Sequence, residues 1–252
     1  MDLGLRGKRA LVTGATRGIG RAIAEALAAE GCHVGLCARS AEGVSRTVEA
    51  LEDFGVKVVG TPVDVADHAA LAQWVGGTAE ALGGIDIAVS NVSAMAEGDT
   101  VEAWTRQFVV DVMATKTLVD AALPFLERSE AGAIVAVSSI SAMEVDRPDS
   151  YSSLKAALHP YVKGLSRALA PKGIRANLVS PGTIYFEDGF WGQVKREQPD
   201  YYAEMIRCNP LGRMGRPDEI GRVVAFVASP AASFMTGANI VVDGGMTTGT
   251  PL

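Results

Sequence analysis

The segment Thr13-Gly14-Ala15-Thr16-Arg17-Gly18-Ile19-Gly20 decides the fold, because it joins a short apolar run to a longer alanine-rich one. Its glycines suit three separate needs. Gly14 can turn the chain sharply out of a strand, Gly18 lets the backbone approach a pyrophosphate, and Gly20 allows a helix to pack closely on the strand. The amino end of that helix offers N–H groups and the positive end of its dipole to phosphates. The segment therefore predicts a dinucleotide-binding turn between a first strand and a first helix.

The remainder of the chain repeats this alternation of apolar runs and longer segments with helical spacing. Predicted strands cover residues 9–13, 34–37, 56–63, 85–90, 133–137, 175–179 and 238–242. Predicted helices cover residues 20–30, 41–54, 68–82, 101–126, 151–170 and 218–228. Strands that alternate with helices at this rhythm indicate βαβ units and a parallel sheet. Since there is no linker, low-complexity tract or repeat, the pattern predicts one doubly wound α/β domain of the Rossmann type over residues 1–252.

The composition excludes several classes of partner and site. With 23 basic and 29 acidic residues the net charge is −6, whereas nucleic acids and acidic membrane surfaces require a basic footprint. The three cysteines are too few and too odd in number for a disulfide framework, which favours a reduced, cytoplasmic compartment. No apolar run approaches the roughly 18 residues that span a bilayer, and the first residues do not resemble a signal peptide. The three histidines are far apart, so we expect no metal site.

Residues 183–210 interrupt the alternation, because no clear strand falls between Pro181 and Pro210. The stretch is rich in aromatic side chains, namely Tyr185, Phe186, Phe190, Trp191, Tyr201 and Tyr202. Long insertions in compact domains are usually functional. We expect a helical lid in which all of these aromatics except Tyr185 contact the substrate. The alternative is a surface pair of helices that buries its own aromatic side chains.

Two arginines indicate which dinucleotide the turn binds. Arg39 ends the second predicted strand, where a basic residue suits the 2′-phosphate of NADP and an acidic one suits the ribose of NAD. Arg17, in the glycine-rich segment, can reach the same phosphate, and guanidinium groups match phosphate geometry. NADP(H) is therefore the predicted cofactor and NAD(H) the alternative. Asp64, after the third strand, is a candidate for the adenine edge or for a helix cap, and Asp67 competes for that cap.

A predicted helix carries Tyr151 and, four residues later, Lys155, so both lie on one face of the helix. A phenol titrates near pH 10 in water, and a neighbouring ammonium group favours the phenolate. Such a pair beside a nicotinamide can pass a proton to or from a carbonyl oxygen. Ser138, Ser139 and Ser141 follow the preceding strand, at the edge where α/β sheets bind their ligands.

These features, in their order and spacing, resemble the short-chain dehydrogenase/reductase family over essentially the whole chain. The matching pieces are TGATRGIG at 13–20, Asp64-Val65, SSISA at 138–142, YSSLK at 151–155, IRANLVSPGTI at 174–184 and GANIVVDGG at 237–245. The resemblance implies a single Rossmann-type domain with a seven-stranded parallel sheet, and hydride transfer between NAD(P) and an alcohol or carbonyl carbon. It also implies a homo-oligomer, most often a tetramer. One interface would involve the helices predicted at 101–126 and 151–170, and another the C-terminal strand region.

The resemblance assigns roles to individual residues. It implies that Tyr151 is the general acid/base, that Lys155 assists it and binds the nicotinamide ribose, and that Ser139 polarises the substrate oxygen. Ser138 and Ser141 remain alternatives, because the segment from these serines to Tyr151 is one residue shorter than usual. The implied cofactor contacts are Gly14, Thr16, Arg17, Gly18, Ile19, Gly20, Arg39, Asp64, Val65, Asn91, Tyr151, Lys155, Pro181, Gly182 and Ile184, whose backbone would hold the carboxamide.

Two positions depart from the family pattern. Ser90-Asn91-Val92-Ser93 stands where the family has Asn-Asn-Ala-Gly, and Ser93 can present its backbone to a cofactor only if its φ is negative. Asp111 aligns with the family's catalytic Asn, which holds a water in the proton relay to the lysine. We hypothesise that Asp111, as a catalytic residue, keeps this relay but shifts the pH optimum upward, because its charge opposes phenolate formation. The alternative is an aspartate that is tolerated because the relay is redundant.

The aromatic lid is the feature that bears on the substrate. It favours an apolar pocket, so the predicted reaction is NADPH-dependent reduction of a ketone on a hydrophobic or cyclic skeleton. The runner-up substrate is a 3-oxoacyl thioester, for which Lys195, Arg196 and Arg207 offer a modest docking patch for a carrier protein. A non-catalytic NADP-binding sensor or scaffold on the same fold is the alternative of another class, and the presence of both Tyr151 and Lys155 disfavours it.

Overall fold

The computed structural model describes residues 2–96, 98–145 and 148–249, which are organised around one parallel sheet. Its seven strands lie in the order β3-β2-β1-β4-β5-β6-β7. They are β1 Arg9–Thr13, β2 His33–Ala38, β3 Val58–Pro62, β4 Ile87–Ser90, β5 Ala133–Val137, β6 Arg175–Pro181 and β7 Asn239–Val242. The strand order reverses between β1 and β4, and such a switch point leaves a crevice at the carboxyl ends of the strands. The predicted doubly wound sheet of seven strands is confirmed.

Helices cover both faces of the sheet. Their bounds are α1 Gly18–Ala29, α2 Ala41–Glu52, α3 His68–Leu82, α4 Val101–Gln107, α5 Ala114–Leu126, α6 Ser150–Leu169, α7 Phe190–Glu197, α8 Pro199–Arg207 and α9 Pro217–Ala228. One apolar core joins α1 and α9 to the sheet through side chains such as Ile23, Leu27 and Val224. The other joins α3, α5 and α6 through Leu71, Leu118 and Leu158. No helix in the described part of the chain is both long and apolar enough to cross a membrane.

Local capping explains where several helices begin and end. Ser40, Asp67 and Thr100 each accept a hydrogen bond from a backbone N–H three residues later, at the starts of α2, α3 and α4. Gly83 ends α3 in the left-handed conformation, with φ of +84°, which glycine adopts without strain. Asp67 therefore caps α3, a role for which Asp64 was also a candidate. Asp64 lies at the edge of the sheet.

The helix predicted over residues 101–126 is interrupted. A π-helical segment, Phe108–Met113, separates α4 from α5. Within it the carbonyl oxygen of Asp111 accepts a hydrogen bond of 2.6 Å from the Thr115 hydroxyl, which also meets Ser90 at the end of β4. Single-turn π segments are rare and occur often at functional sites. Here the extra residue in the turn accompanies the inward placement of Asp111, whose side chain is 0% exposed.

A buried ion pair lies at the amino ends of the central strands, opposite the crevice. Asp86, just before β4, accepts hydrogen bonds from the guanidinium and backbone N–H of Arg9 and from the Ser129 hydroxyl. Burial alone would raise the pKa of Asp86, but these donors outweigh it and hold the pKa below its usual value. The carboxylate thus ties β1, β4 and the segment before β5 together on the side away from the crevice.

Candidate active site

A cavity of about 860 Å³ opens at the carboxyl ends of the strands, where the switch point predicts a ligand site. Most of the predicted site residues line it: Gly14, Thr16, Arg17, Ile19, Gly20, Arg39, Asp64, Val65, Asn91, Ser138, Ser139, Tyr151, Lys155, Pro181, Gly182, Ile184, Phe186, Phe190 and Trp191. Among the described residues that we predicted for the site, Gly18, Asp111, Tyr201 and Tyr202 do not line this cavity. The sequence motifs, which are scattered along the chain, therefore meet at one place.

The glycine-rich turn has the conformation that its sequence predicts. Gly14 and Gly18 have φ of +65° and +52°, a region that favours glycine. A side chain at Gly20 would collide with the carbonyl of Gly14, so only glycine allows α1 to pack this closely on β1. Asn91 holds the turn by donating hydrogen bonds to the carbonyls of Thr13 and Gly14 at 3.2 and 3.3 Å. The start of α1 carries neither a side-chain cap nor an acidic residue, which leaves it suited to an anion.

Phe186 covers Gly18 from the lid side. A Cβ added to Gly18 would lie 2.5 Å from the Phe186 ring, and one added to Gly189 would lie at the same distance. The ring is therefore held between the glycine-rich turn and the turn that precedes α7. This contact explains why Gly18 is absent from the lining residues of the cavity while its neighbours Arg17 and Ile19 are present.

Lys155 lies beneath the cavity with its ammonium group fully engaged. Its Nζ donates to the carbonyls of Val137 and Val92 at 3.1 and 3.3 Å and lies 2.9 Å from Oδ2 of Asp111. Burial alone would lower the pKa of Lys155, but the charge and hydrogen bonding of Asp111 together with the charge of Tyr151 outweigh burial, so the pKa is raised above its ordinary value. The lysine is therefore a firmly held cation.

Asp111 has a second task that the sequence did not reveal. Its Oδ1 accepts a hydrogen bond of 2.8 Å from the backbone N–H of Ala94, in the loop after β4. Gln107, one turn earlier, holds the same loop by donating to the Ser93 hydroxyl and accepting from the Ala96 N–H. Asp111 thus contacts Lys155 directly and also fixes this loop.

Ser93 stands where the family has glycine, but its backbone is not strained. Among the described non-glycine residues, only Met95 has a positive φ, of +46°. The φ of Ser93 is therefore negative, which is the condition under which its backbone can face a cofactor. Met95 lines the cavity, and a strained residue at a cavity wall is a feature of functional sites.

The three candidate serines have different environments. The Ser138 hydroxyl donates to the carbonyl of Lys155 at 3.2 Å and lies 3.1 Å from Nε2 of His159, so it is bound to α6. The Ser139 hydroxyl accepts the N–H of Ser141 at 3.1 Å and keeps its own proton for another acceptor. Ser139 also lines the cavity beside Tyr151, whereas Ser141 is not among its lining residues in the described chain. This arrangement favours Ser139 over Ser138 and Ser141.

Tyr151 is half-buried on the first turn of α6 and lines the same wall. The Nζ of Lys155 lies 5.9 Å from the centre of the Tyr151 ring. The i, i+4 spacing thus brings the phenol and the ammonium group to one side of the helix, as predicted. Pro160 lies inside the same helix, one turn after Lys155, without ending it.

The lid region consists of the two short helices α7 and α8. Phe186, Phe190 and Trp191 face the cavity, but Tyr201 and Tyr202 do not line it. Tyr201 packs against Trp191 with ring centres 6.0 Å apart, and Tyr202 packs edge-on against Tyr185 at 5.9 Å. The predicted lid and its alternative each describe some of these aromatic side chains, because some face the cavity and others pack within the lid itself.

The arginines at the outer end of the cavity include both that the sequence predicted. Arg17 and Arg39 line the cavity, and the Arg17 guanidinium also donates to the carbonyl of Asp188 in the lid at 3.2 Å. Arg106, on α4, lines the cavity beside Arg39, and sequence analysis missed it. Its position in the second turn of a helix that follows β4 was the available signal, since that turn lies near the carboxyl edge of the sheet.

Comparison with known proteins agrees with this geometry. A family model described as "Enoyl-(Acyl carrier protein) reductase" matches residues 14–247. Isoepoxydon dehydrogenase patN from Penicillium expansum is 40% identical over 261 residues, covering 99% of this chain and 98% of that protein. L-rhamnose 1-dehydrogenase (NAD(P)(+)) from a Sphingomonas species is 36% identical over 255 residues, covering 96% of this chain and 97% of that protein.

A solved structure extends the similarity to three dimensions. L-sorbose reductase from Gluconobacter frateurii, complexed with NADPH and L-sorbose, matches with a TM-score of 0.91 at 30% identity, covering 99% of this chain and 100% of that chain. The similarities in sequence and fold extend over nearly the whole chain. The chain therefore belongs to the short-chain dehydrogenase/reductase family of oxidoreductases.

Proposed function

We propose that this protein is an NADP(H)-dependent oxidoreductase that acts on a carbonyl or secondary alcohol of a hydrophobic or cyclic substrate. One observation carries the proposal: Tyr151, Ser139 and Lys155 share a cavity wall with the glycine-rich turn. The residues present fit a phosphorylated dinucleotide, because the start of α1 has no acidic residue or side-chain cap and Arg39 lines the cavity nearby. When bound, the nicotinamide supplies or accepts the hydride.

The protein groups then have to manage one proton and one oxygen. In the reductive direction, the Tyr151 hydroxyl donates its proton to the oxygen that becomes the alcohol, and in the oxidative direction the phenolate takes that proton back. Ser139 donates its free hydroxyl hydrogen to the same oxygen and polarises it. Lys155 stabilises the phenolate through its positive charge, and its own protons are held by Val92, Val137 and Asp111.

The apolar lining of the lid side supports a hydrophobic or cyclic substrate. Phe186, Phe190 and Trp191 line the cavity, together with Met95 from the opposite loop. The relative named isoepoxydon dehydrogenase and the solved L-sorbose reductase have names that specify an alcohol or carbonyl reaction. These names specify different substrates, so the substrate class that we propose rests on the aromatic side chains that line the cavity.

A 3-oxoacyl thioester is the second candidate, and the description of the matching family model favours an acyl carrier protein substrate. Two of the three basic lid residues that could dock a carrier protein are already engaged. Lys195 donates to the Tyr185 hydroxyl and lies over its ring at 4.9 Å, and Arg196 pairs with Glu187 at 3.3 Å. Because these contacts occupy the basic groups, the smaller carbonyl substrate is the better supported candidate.

The test is consumption of NADPH, with NADH in parallel, against cyclic, aryl and 3-oxoacyl carbonyl compounds. We expect turnover with NADPH on the cyclic or aryl members that is lost in Tyr151→Phe and reduced in Ser139→Ala, while Ser138→Ala keeps most of it. Tight NADPH binding without turnover on any member would contradict the proposal and favour a sensor or scaffold. Faster turnover of the 3-oxoacyl thioester would replace our substrate class with the second candidate.

We further propose that the protein assembles as a homotetramer, as the family resemblance implies. The exposed apolar side chains on α4 and near β7, such as Val101 and Phe234, support an assembly of identical subunits.

A further inference from the structure

A second, smaller cavity adjoins the outer end of the first. It has a volume of about 450 Å³, and it shares Arg39, Asp64, Arg106 and Val110 with the larger cavity. Its walls come from the ends of β2 and β3 and from α4 and the π-helical segment. The two cavities therefore form one continuous surface that leads from Tyr151, past the glycine-rich turn, to α4.

The wall of this smaller cavity is apolar, and charged groups lie around it. Ala66, Val109 and Val110 provide apolar surface of a kind on which an adenine ring packs. Arg39 lies directly after β2, and Arg106 lies on α4. Among the described residues, neither guanidinium has an ion-pair or hydrogen-bond partner, although the carboxylates of Asp64 and Glu102 line the same cavity.

Arg17, which the sequence assigned to the 2′-phosphate, lines the larger cavity and also contacts the lid. Its guanidinium donates to the carbonyl of Asp188, so it lies against the lid. Arg39, which follows β2, and Arg106 both line the smaller cavity and the outer end of the larger one. Two guanidinium forks on one phosphate provide more charge-assisted hydrogen bonds than one fork does.

We propose that Arg106 is a cofactor-specificity residue, which together with Arg39 holds the 2′-phosphate of an adenosine whose base lies in the smaller cavity. The inference rests on the proposed NADP(H) dependence and adds a residue on α4 to it. Arg106 acts on binding of the phosphate and not on the hydride or proton steps.

The experiment measures dissociation constants of the whole protein for NADPH and NADH by nicotinamide fluorescence, without substrate. Adenosine 2′,5′-bisphosphate and adenosine 5′-monophosphate serve as competing fragments. The variants are Arg106→Gln, Arg39→Gln and Arg17→Gln, and Arg46→Gln is the control, since Arg46 is an exposed arginine of α2 that pairs with Glu42. Thermal unfolding of each variant shows whether it folds.

We expect Arg106→Gln and Arg39→Gln each to weaken NADPH and the bisphosphate by about tenfold or more, as loss of a charge-assisted hydrogen bond predicts. Affinity for NADH and the monophosphate should change less than twofold, and Arg106→Lys should recover part of the loss. Equal weakening of NADPH and NADH in Arg106→Gln would overturn the proposal, as would no weakening of either. Selectivity lost in Arg17→Gln but kept in Arg106→Gln would return the role to Arg17.

The same titration separates this inference from the proposed function. If the unaltered protein binds neither NADPH nor the bisphosphate, the proposed cofactor and the role of Arg106 both fail. If it binds NADPH tightly and Arg106→Gln binds it equally well, only the role of Arg106 fails.

Discussion

Asp111 carries the negative charge that lies closest to Lys155, and this sets the electrostatics beneath the cavity. Asp111→Asn keeps an oxygen that can accept the Ala94 N–H but removes the charge 2.9 Å from the ammonium group. Since a carboxylate charge near Lys155 opposes phenolate formation, we expect the acid limb of the pH–rate profile for alcohol oxidation to move to lower pH. The measurement is kcat against pH for both proteins.

One result would contradict the predicted role of the Asp111 charge. A pH–rate profile that does not move in Asp111→Asn would mean that the aspartate is structural and only holds the loop at Ala94. Asp111→Ala is the matched comparison, because it removes both the charge and the acceptor. If holding the loop is the main role, only Asp111→Ala should lose thermal stability and activity.

His159 is a second residue whose surroundings predict a pH dependence, in this case of stability. Burial lowers the pKa of His159, so the folded protein keeps the ring neutral where the unfolded chain binds a proton. The unfolded state therefore takes up more protons as the pH falls through about 6.5, and stability decreases below that pH. We expect the melting temperature to fall between pH 7.5 and 5.5, and to fall less in His159→Gln.

Glutamine is suitable at position 159 because of the hydrogen bond that the ring makes. When the Ser138 hydroxyl gives its proton to the Lys155 carbonyl, its oxygen accepts from Nε2 of His159, 3.1 Å away. A glutamine amide can also donate there but does not titrate. His33→Gln is the control on the far end of β2, and an equal flattening in that variant would remove His159 as the cause.

At the scale of elements, the contact between the lid and the start of α1 predicts a stringent requirement for glycine. In Gly18→Ala the new Cβ meets the Phe186 ring at 2.5 Å, and the φ of +52° is strained for alanine. Strain of this kind costs about 1–3 kcal/mol, so NADPH affinity should fall by roughly tenfold. Titration of NADPH with Gly18→Ala, Phe186→Ala and the double variant checks this.

The double variant separates the two causes. If collision with the ring dominates, removing Phe186 restores affinity in the Gly18→Ala background. If backbone strain dominates, affinity stays low in the double variant. Unchanged affinity in Gly18→Ala alone would contradict the predicted requirement for glycine at this position.

Most elements were predictable because their signals are local. Asp67 and Gly83 mark the two ends of α3, and the prediction of 68–82 matches its bounds. The π-helical segment was not predictable, since it depends on contacts of Thr115 with the Asp111 carbonyl and with Ser90 on another strand. Local spacing in residues 101–126 shows only continuous helical periodicity. Interruptions produced by tertiary contacts have no signature in such periodicity.

At the scale of the whole molecule, the sheet order could be predicted because parallel strands with crossover helices leave few topologies. The hydrogen-bond partners of long polar side chains could not be predicted. Arg17 and Arg39 are both placed by the sequence near one phosphate, yet the lid carbonyl of Asp188 binds Arg17, and Arg106 comes from a helix remote in sequence. Such choices depend on where the lid and α4 lie after folding, which composition and spacing do not encode.

Phe234 predicts how the molecule assembles. Its side chain is 103% exposed, in the segment between α9 and β7, so a monomer gains nothing from it. Aromatic residues are enriched at protein–protein interfaces relative to the rest of the surface. The proposed tetramer places an interface in this C-terminal strand region, and Phe234→Ser removes the ring without disturbing any buried contact of the subunit.

We therefore expect light scattering to give the mass of a homo-oligomer for the unaltered protein and a smaller mass for Phe234→Ser at micromolar concentration. Phe54→Ser, which removes a ring that is 46% exposed at the end of α2, is the control and should leave the mass unchanged. A subunit that keeps its helix content while losing assembly would place Phe234 in the interface. If Phe234→Ser and Phe54→Ser both keep the mass of the unaltered oligomer, Phe234 lies outside the interface. A monomeric unaltered protein would contradict the proposed symmetric assembly.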